Sequence, residues 1–259
     1  MSVAGVDIGA GTAKAVILQD DLIVSHAVVP VRSDVIKAAE RVMENALDQA
    51  GLSMASLDYV VSTGYGRDAV SFNDNATTEI ICHALGVHFL IPQARTIIDI
   101  GAQDSKMIRV NGSGNVTDFV MNDKCAAGTG RFLEVMAQVL GLKIEEMGPK
   151  SLTSKKRCEI SSTCTVFAET EVVSLRAKGQ ATEDLIAGIH RAISSRVLTM
   201  GSGIRLEPEI VFTGGVAKNS GVKSALEEGC KVKFLVPEEP QITGALGAAL
   251  FAQEKLGSS

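Results

Sequence analysis

The chain has 259 residues, of which 46% are hydrophobic and 21% are charged, a balance typical of a globular protein with a large core. Its formal net charge is −5 without an extended run of Lys and Arg, so no nucleic acid partner is expected. No apolar stretch approaches the roughly eighteen residues that a membrane span needs, and the first residues do not resemble a signal peptide. We therefore expect a cytoplasmic protein with no membrane partner.

The sequence begins with a short apolar strand that carries one acid. Val3–Ile8 is this strand, and the small-residue turn Gly9–Lys14 follows it before strand character returns. Backbone N–H groups in such a turn can hold phosphate oxygens, and an Asp at the strand end can hold Mg²⁺ through water. A plain hairpin is the alternative reading of one glycine turn. The candidate ligands here are Asp7, Gly9, Ala10, Gly11, Thr12, Ala13 and Lys14.

The same pattern recurs 92 residues later, in Ile97–Ile108. Asp-Ile-Gly-Ala is identical in the two copies, and Lys106 follows at the offset of Lys14. Two strand–turn–strand copies, each with an acid, indicate a duplicated domain whose halves clamp one ligand. The second copy adds the candidates Asp99, Gly101, Gln103 and Asp104.

The predicted secondary structure repeats in the same way. Each half starts with three strands, and a helix follows, predicted from Ser33 to Ala50 in the first half. In the second half the helix begins after Cys125 and runs to about Leu140. We place the first lobe at residues 1–92 and the second at 93–259, with a C-terminal helix at 241–259 that could pack back on the first lobe.

Two of the five cysteines lie in similar settings. Cys125 occupies the small-residue segment Asn122–Phe132, and Cys164 lies among hydroxyl residues in Ser161–Phe167. Both segments lead into helical apolar patterns, so we predict that both thiols lie at helix N-termini, which favour a thiolate and an anionic group attached to it. Two small buried residues, or a disulfide, are the alternatives. The other cysteines have less suitable settings and are Cys82, Cys158 and Cys230.

A glycine turn of another kind occurs late in the chain. The predicted strand Glu209–Thr213 leads into Gly214-Gly215-Val216-Ala217 and a helix, which fits either a seat for adenosine or a simple helix cap. The segment Thr243–Leu250 is a predicted helix with small residues on one face. Such a face permits close packing on another helix or on a nucleotide.

Together these turns and the terminal helix resemble the superfamily of acetate and sugar kinases, Hsp70 and actin. That resemblance implies an α/β fold of two duplicated ribonuclease-H-like lobes around Mg-ATP. The segments Met121–Leu133 and Ser161–Glu169 are similar to those of the BadF/BadG/BcrA/BcrD ATPase family. This family includes activators of 2-hydroxyacyl-CoA dehydratases, subunits of benzoyl-CoA reductase and reductases of double-cubane-cluster proteins.

The resemblance also implies roles for individual residues. Cys125 and Cys164 would bind one [4Fe–4S] cluster shared across a homodimer, and Asp7 and Asp99 would hold Mg²⁺. Asp7 would also be catalytic, as would Gln103 or Asp104 by orienting the attacking water. Many relatives have Ser-Thr at Ala10-Gly11 and Gly at Ala102, so a hydroxyl near the phosphates is missing here. The implied ATP/ADP contacts are Gly9, Ala10, Gly11, Thr12, Ala13, Lys14, Asp99, Gly101, Gln103, Gly214, Gly215, Val216, Ala217 and Gln241.

The implied function is that of an ATP-driven one-electron reductase. The homodimer would take an electron from ferredoxin or flavodoxin and pass it to an iron–sulfur acceptor, which is a dehydratase, a reductase or a double-cubane-cluster protein. A cube needs about four thiolates, and a two-fold axis would supply two from each chain. Partial exposure at the dimer seam would make it oxygen-sensitive. The alternatives are a small-molecule kinase without a cluster and a non-catalytic zinc- or nucleotide-sensing module.

Overall fold

The strands form two five-stranded sheets in the computed structural model, which describes residues 1–161 and 164–257. The strands are β1 (Ser2–Ile8), β2 (Thr12–Gln19), β3 (Leu22–Pro30), β4 (Tyr59–Thr63), β5 (Asn75–Ala76), β6 (Thr96–Ile100), β7 (Ser105–Val110), β8 (Val116–Asn122), β9 (Ile210–Thr213) and β10 (Phe234–Leu235). One sheet has the order β3-β2-β1-β4-β5, and the other has the order β10-β9-β6-β7-β8. Read from opposite edges, the two orders are the same. The duplication predicted from the repeated turns is therefore confirmed.

Eight α-helices lie between and after these strands in the described residues. The helices are α1 (Val35–Ala50), α2 (Glu79–Leu90), α3 (Gly130–Leu140), α4 (Ile144–Ser151), α5 (Thr165–Ala177), α6 (Thr182–Met200), α7 (Ser220–Cys230) and α8 (Thr243–Gly257). Local signals set their ends: Asp34 caps α1 by accepting from Lys37 N at 3.0 Å, and Gly51 ends it with a φ of 66°. Within the described residues, no helix has the length and apolar character that a membrane crossing requires.

The chain divides into two compact units. The first contains Met1–Ile97, Ile108–Phe119 and the segment from Pro237 onward, and the second contains Ile98–Met107 and Val120–Val236. The lobe limits drawn from the sequence, 1–92 and 93–259, remain a prediction.

The first unit buries both faces of its sheet. Alternate residues of β1, such as Val6 and Ile8, pack with α1 in one apolar cluster, while Val3 packs with α8 in another. Asp7 has the same parity as Val3 and therefore points to the α8 face. This alternation places an acid next to the start of the terminal helix.

The second unit has one large aliphatic core. Ile98 and Ile100 from β6 pack there with residues of α3, α6 and α7, among them Phe132, Ile189 and Val222. The end of β6 and the start of α3 therefore belong to one packed body.

Candidate functional site

The first glycine turn holds a buried ion pair in the first unit. Gly9 N donates to Thr12 O at 3.1 Å and closes the turn between β1 and β2. The antiparallel register places Asp7 opposite Lys14. Lys14 Nζ lies 3.0 Å from Asp7 Oδ2, and the two side chains are only 13% and 6% exposed. The turn thus presents one carboxylate and one ammonium group at the strand ends.

Two glycines from other elements make room for this carboxylate. Gly64 follows β4 with a φ of 86°, and Gly244 lies in the first turn of α8. A Cβ atom on either residue would collide with the Asp7 carboxylate oxygens. Close to this point, His83 Nδ1 lies 3.0 Å from Thr243 Oγ1. Gly64 and Gly244 are therefore part of the surroundings of Asp7, although the sequence offered no reason to link them to it.

The second glycine turn repeats this arrangement in the second unit. Gly101 N donates to Asp104 O at 3.0 Å and closes the turn between β6 and β7. Lys106 Nζ lies 3.5 Å from Asp99 Oδ2 and also pairs with Asp104. Thr213 Oγ1 donates to Asp99 Oδ1 at 2.8 Å. All four side chains are buried, so this charge cluster is almost withdrawn from solvent.

Lys106 and Thr213 were not among the sequence candidates. A signal existed for Lys106, because it repeats Lys14 at the same offset. Thr213 ends the predicted strand before the Gly-Gly turn, but no local pattern linked it to Asp99, which lies 114 residues away in the chain.

The remaining nucleotide candidates are divided between the two units. Gly214 has a φ of 84°, and a Cβ atom there would collide with the backbone of Ile100. Gly215–Lys218 forms a short 3-10 helix after it, with Val216 and Ala217 buried. Gln103 is exposed at the tip of the second turn, and Gln241 is half-buried in the first unit, two residues before α8. The Gly-Gly turn is thus packed closely against the backbone at the end of β6, next to the second glycine turn.

The start of α3 is hydrogen-bonded to the second glycine turn. Gly130 N donates to Gly101 O, and Arg131 N donates to Ala102 O, each at 2.8 Å. A Cβ atom on Gly130 would lie 3.0 Å from Gly101 O and 3.4 Å from Val216 Cγ2. Three segments that were separate in the sequence therefore meet at Gly130 within one unit.

The prediction that Cys125 lies at a helix N-terminus is wrong. Helix α3 begins at Gly130 with Thr129 as its cap residue, five positions after Cys125. Its first N–H groups are taken by the carbonyl groups of Gly101 and Ala102. Cys125 is held instead by Asn122, whose Oδ1 accepts from Cys125 N at 3.2 Å and whose Nδ2 donates to Cys125 O at 2.7 Å.

Cys164 does lie at a helix N-terminus, because it is the cap residue of α5. It is exposed, and Val166 and Phe167 in the first turn are 65% and 68% exposed. Ser162 and Thr163, which precede Cys164 in the predicted motif, lie outside the described residues. Cys164 therefore stands on a surface with an apolar neighbourhood.

All five cysteines are free thiols, so the disulfide alternative is not supported. Cys82 is fully buried, and burial raises the pKa of its thiol to about 12. Burial also raises the pKa values of Cys158 and Cys230. Among residues 1–161 and 164–257, no three His, Cys, Asp or Glu side chains gather as a metal site within one chain.

Arg196 is a neighbour of Cys125 that the sequence did not indicate. Its Nη2 donates to Cys125 Sγ at 3.6 Å from the exposed side of α6. The two residues are 71 positions apart, so no local pattern could have linked them.

The sequence matches known proteins over nearly the whole chain. The model of the BadF/BadG/BcrA/BcrD ATPase family matches residues 4–252. The activator of lactoyl-CoA dehydratase from Anaerotignum propionicum is 47% identical over 98% of this chain and 98% of its own length. A subunit of benzoyl-CoA reductase from Thauera aromatica is 32% identical over 98% of this chain and 94% of its own length.

Solved structures give the same result. Component A of (R)-2-hydroxyglutaryl-CoA dehydratase from Acidaminococcus fermentans has a TM-score of 0.96 at 43% identity, covering 99% of both chains. The activator of 2-hydroxyisocaproyl-CoA dehydratase from Clostridium difficile, solved with bound ADPNP, has a TM-score of 0.95 at 42% identity, covering 100% of this chain and 96% of that chain. A ROK family glucokinase from Streptomyces griseus has a TM-score of 0.59 at 13% identity, which shows a shared fold alone. The predicted kinase, Hsp70 and actin fold is confirmed.

Proposed function

Because this chain belongs to the BadF/BadG/BcrA/BcrD ATPase family, we propose that it is an ATP-dependent activator that delivers one low-potential electron to an iron–sulfur enzyme. Its relatives support a 2-hydroxyacyl-CoA dehydratase as the acceptor, since three of them carry activator or activating ATPase names of such enzymes. A benzoyl-CoA reductase type of acceptor is the second member of the same class. A ferredoxin or flavodoxin fits as donor, because both carry single electrons at low potential.

We assign Mg-nucleotide binding to the two glycine turns. Gly9–Lys14 with Asp7, and Gly101–Asp104 with Asp99, would supply backbone N–H groups for phosphate oxygens and carboxylates for Mg²⁺-bound water. The observed Asp7–Lys14 and Asp99–Lys106 pairs fit this role, because each holds a cation for phosphate and an anion for the metal in one place. Gly214, Gly215, Val216, Ala217 and Gln241 complete the assignment as nucleoside contacts.

Gln103 is the better candidate for orienting the attacking water. Its side chain is exposed at the tip of the second turn, whereas Asp104 is buried and paired with Lys106. Asp104 would therefore act by fixing the turn and Lys106, and Asp7 would act through the metal-bound water.

The cysteines fit a [4Fe–4S] cluster shared by two copies of the chain. Cys164 is exposed at the cap of α5 and Cys125 is half-exposed, while Cys82 is buried. One chain offers two such thiols, so a second copy would have to complete a set of about four. When bound, the cluster would accept and release one electron. The exposed Val166 and Phe167 beside Cys164 support burial of this surface in a homodimer, and the exposure of the thiol supports oxygen sensitivity.

One observation carries the coupling between nucleotide and electron transfer. The first N–H groups of α3 bind the carbonyl groups of Gly101 and Ala102, in the proposed phosphate turn. Cys125 lies five residues before the start of that helix. A shift of the turn on ATP binding or hydrolysis would therefore move the helix start and the loop that holds Cys125.

The rival functions have weaker support. The kinase alternative rests on fold alone, because the two sugar kinases with this fold are 13 and 15% identical to the chain. A zinc-sensing module would use the same thiolates, and metal analysis separates it from the cluster.

The number of irons per dimer tests the proposed cluster. We expect about four irons and four sulfides per dimer in anaerobic wild-type protein. Cys125→Ser and Cys164→Ser should each abolish the cluster, because each removes two ligands from one cube. Cys158→Ser and Cys230→Ser are the matched controls and should keep it. About four irons per monomer, full iron in either of the first two variants, or tetrahedral zinc in place of iron would refute the assignment.

A further inference from the structure

Arg196 is the charged side chain that the structure places against Cys125. Its Nη2 lies 3.6 Å from Cys125 Sγ, within hydrogen-bonding distance for sulfur, which is a large and weak acceptor. A guanidinium is a cation with several N–H donors, so this contact places a charged donor beside the Cys125 sulfur.

The surroundings hold this contact in place from both sides. Gly128 has a φ of 108°, and a Cβ atom there would lie only 3.1 Å from Arg196 Cγ. The loop can therefore approach the arginine stem closely because residue 128 is glycine. Asn122 holds the backbone of Cys125 through two hydrogen bonds of 3.2 and 2.7 Å. Val197, next to Arg196 on α6, is buried in the core of the same unit and anchors the helix there.

A hydrogen bond from a cation to a ligand sulfur stabilises the more negative state of an iron–sulfur cluster, which raises its reduction potential. We propose that Arg196 is a positioning residue that orients Cys125 Sγ and raises the potential of the cluster, an inference that rests on the proposed function. Its partner sulfur lies in the loop that the phosphate turn holds through α3. A shift of that loop would thus change the Arg196 contact and, with it, the driving force for electron release.

The test compares Arg196→Gln and Arg196→Lys with Arg191→Gln as the control. Arg191 lies on the same helix, is exposed, and contacts Glu228 at 3.5 Å rather than a cysteine. The midpoint potential is measured anaerobically by dye-mediated titration, together with iron content and mass in solution. We expect Arg196→Gln to lower the potential, Arg196→Lys to lower it less, and Arg191→Gln to leave it unchanged. An unchanged potential in Arg196→Gln with full iron would overturn the proposal.

A second measurement does not need the cluster. In metal-free protein at fixed pH, iodoacetamide labelling of Cys125 is followed by mass spectrometry with Cys164 as the internal reference. Arg196→Gln should change the rate of Cys125 labelling relative to that of Cys164 several-fold, because it removes the side chain that contacts and orients the Cys125 sulfur. An unchanged ratio would overturn the proposal. Wild-type protein that holds no iron would refute the proposed function instead, and the labelling result would still decide whether Arg196 acts on Cys125.

Discussion

At the scale of residues, each unit keeps a carboxylate and a lysine together at the end of a buried strand. Asp7 pairs with Lys14, and Asp99 pairs with Lys106 while also accepting from Thr213. Ion pairs buried to this extent are poor stabilisers, because desolvation offsets the attraction between the charges. Two copies of such a pair, each beside a glycine turn, therefore favour a role in binding a charged ligand.

His190 forms a buried polar network in the second unit. Its Nδ1 lies 3.0 Å from Ser151 Oγ, which itself donates to Gly148 O at 2.8 Å. Nδ1 therefore carries the proton and donates to Ser151, and Nε2 faces Asn219 Nδ2 at 3.4 Å. Burial lowers the pKa of His190 to about 4. The folded unit therefore holds this ring in its neutral form.

This network predicts a loss of stability in acid. The unfolded chain binds the proton near pH 6.5 and the folded chain near pH 4, so stability falls as the pH drops through this window. From pH 7 to pH 5, protonation of His190 in the unfolded chain lowers the free energy of unfolding by about 2 kcal/mol. His190→Gln should be less stable than wild type at pH 7 but should lose about 2 kcal/mol less on acidification, measured by urea unfolding.

His26→Gln serves as the matched control, since His26 is exposed on β3. In this variant the free energy of unfolding should change between pH 7 and pH 5 as much as it does in wild type. Equal pH dependence in His190→Gln and wild type would show that His190 is not held neutral by the fold.

Site residues that repeat or lie within a local motif could be predicted from the sequence. Asp7 and Asp99 were identified because the tetrapeptide around them recurs, and Cys164 was correctly placed at a helix start. Thr213 and Arg196 were missed because their partners are distant in the chain. Hydrogen bonds of that kind depend on tertiary packing, which leaves no pattern in a single sequence.

At the scale of elements, the small residues of α8 allow close approach, as predicted. A Cβ atom on Gly247 would collide with the backbone of Cys82 in α2, and one on Gly5 would collide with the backbone of α8. The helix therefore packs directly on β1 and α2, and its first turn reaches Asp7. Its packing is on protein; contact with a nucleotide remains a prediction.

The start of α3 was predicted too early because the segment from Cys125 to Gly128 is rich in small residues. The apolar periodicity of this helix could not show that the carbonyl groups of Gly101 and Ala102 accept hydrogen bonds from its first N–H groups. Thr129 Oγ1 and N both bond to Ala126 O, which forms a separate turn before the helix. The cysteine loop thus has its own structure and is joined to the helix at a fixed point.

Gly130→Ala tests whether this junction couples ATP to electron transfer. The added methyl group would lie 3.0 Å from Gly101 O, so the phosphate turn and α3 must separate slightly. We expect iron content to be kept while the number of electrons delivered per ATP hydrolysed falls. A loss of about 1 kcal/mol in coupling free energy would lower the number of electrons delivered per ATP roughly fivefold. The ratio is used because it is insensitive to a slower ATPase.

Gly203→Ala is the control for this variant. It lies in the same unit with no atom within 4 Å of the added Cβ, so its ratio should equal that of wild type. A wild-type ratio in Gly130→Ala would show that the bonds between α3 and the turn do not transmit the effect of ATP.

At the scale of the whole molecule, the two sheets share one strand order, and the repeated turns occupy equivalent places in them. The duplication was predictable because the repeat is a short motif with a fixed offset. The grouping of residues 108–119 with the first unit was not predicted, since these residues lie beyond position 93, where the second lobe was expected to begin. Long-range packing decides such membership.

In the proposed function, ATP controls the release of an electron to an acceptor enzyme. The most direct measurement is a single-turnover experiment with reduced homodimer and its iron–sulfur acceptor, followed by rapid-mixing absorbance under anaerobic conditions. Reduction of the dimer should not need nucleotide, and the reduced dimer should hold its electron in the presence of the acceptor until Mg-ATP is added. Transfer at the same rate with and without Mg-ATP would show that ATP does not control electron release.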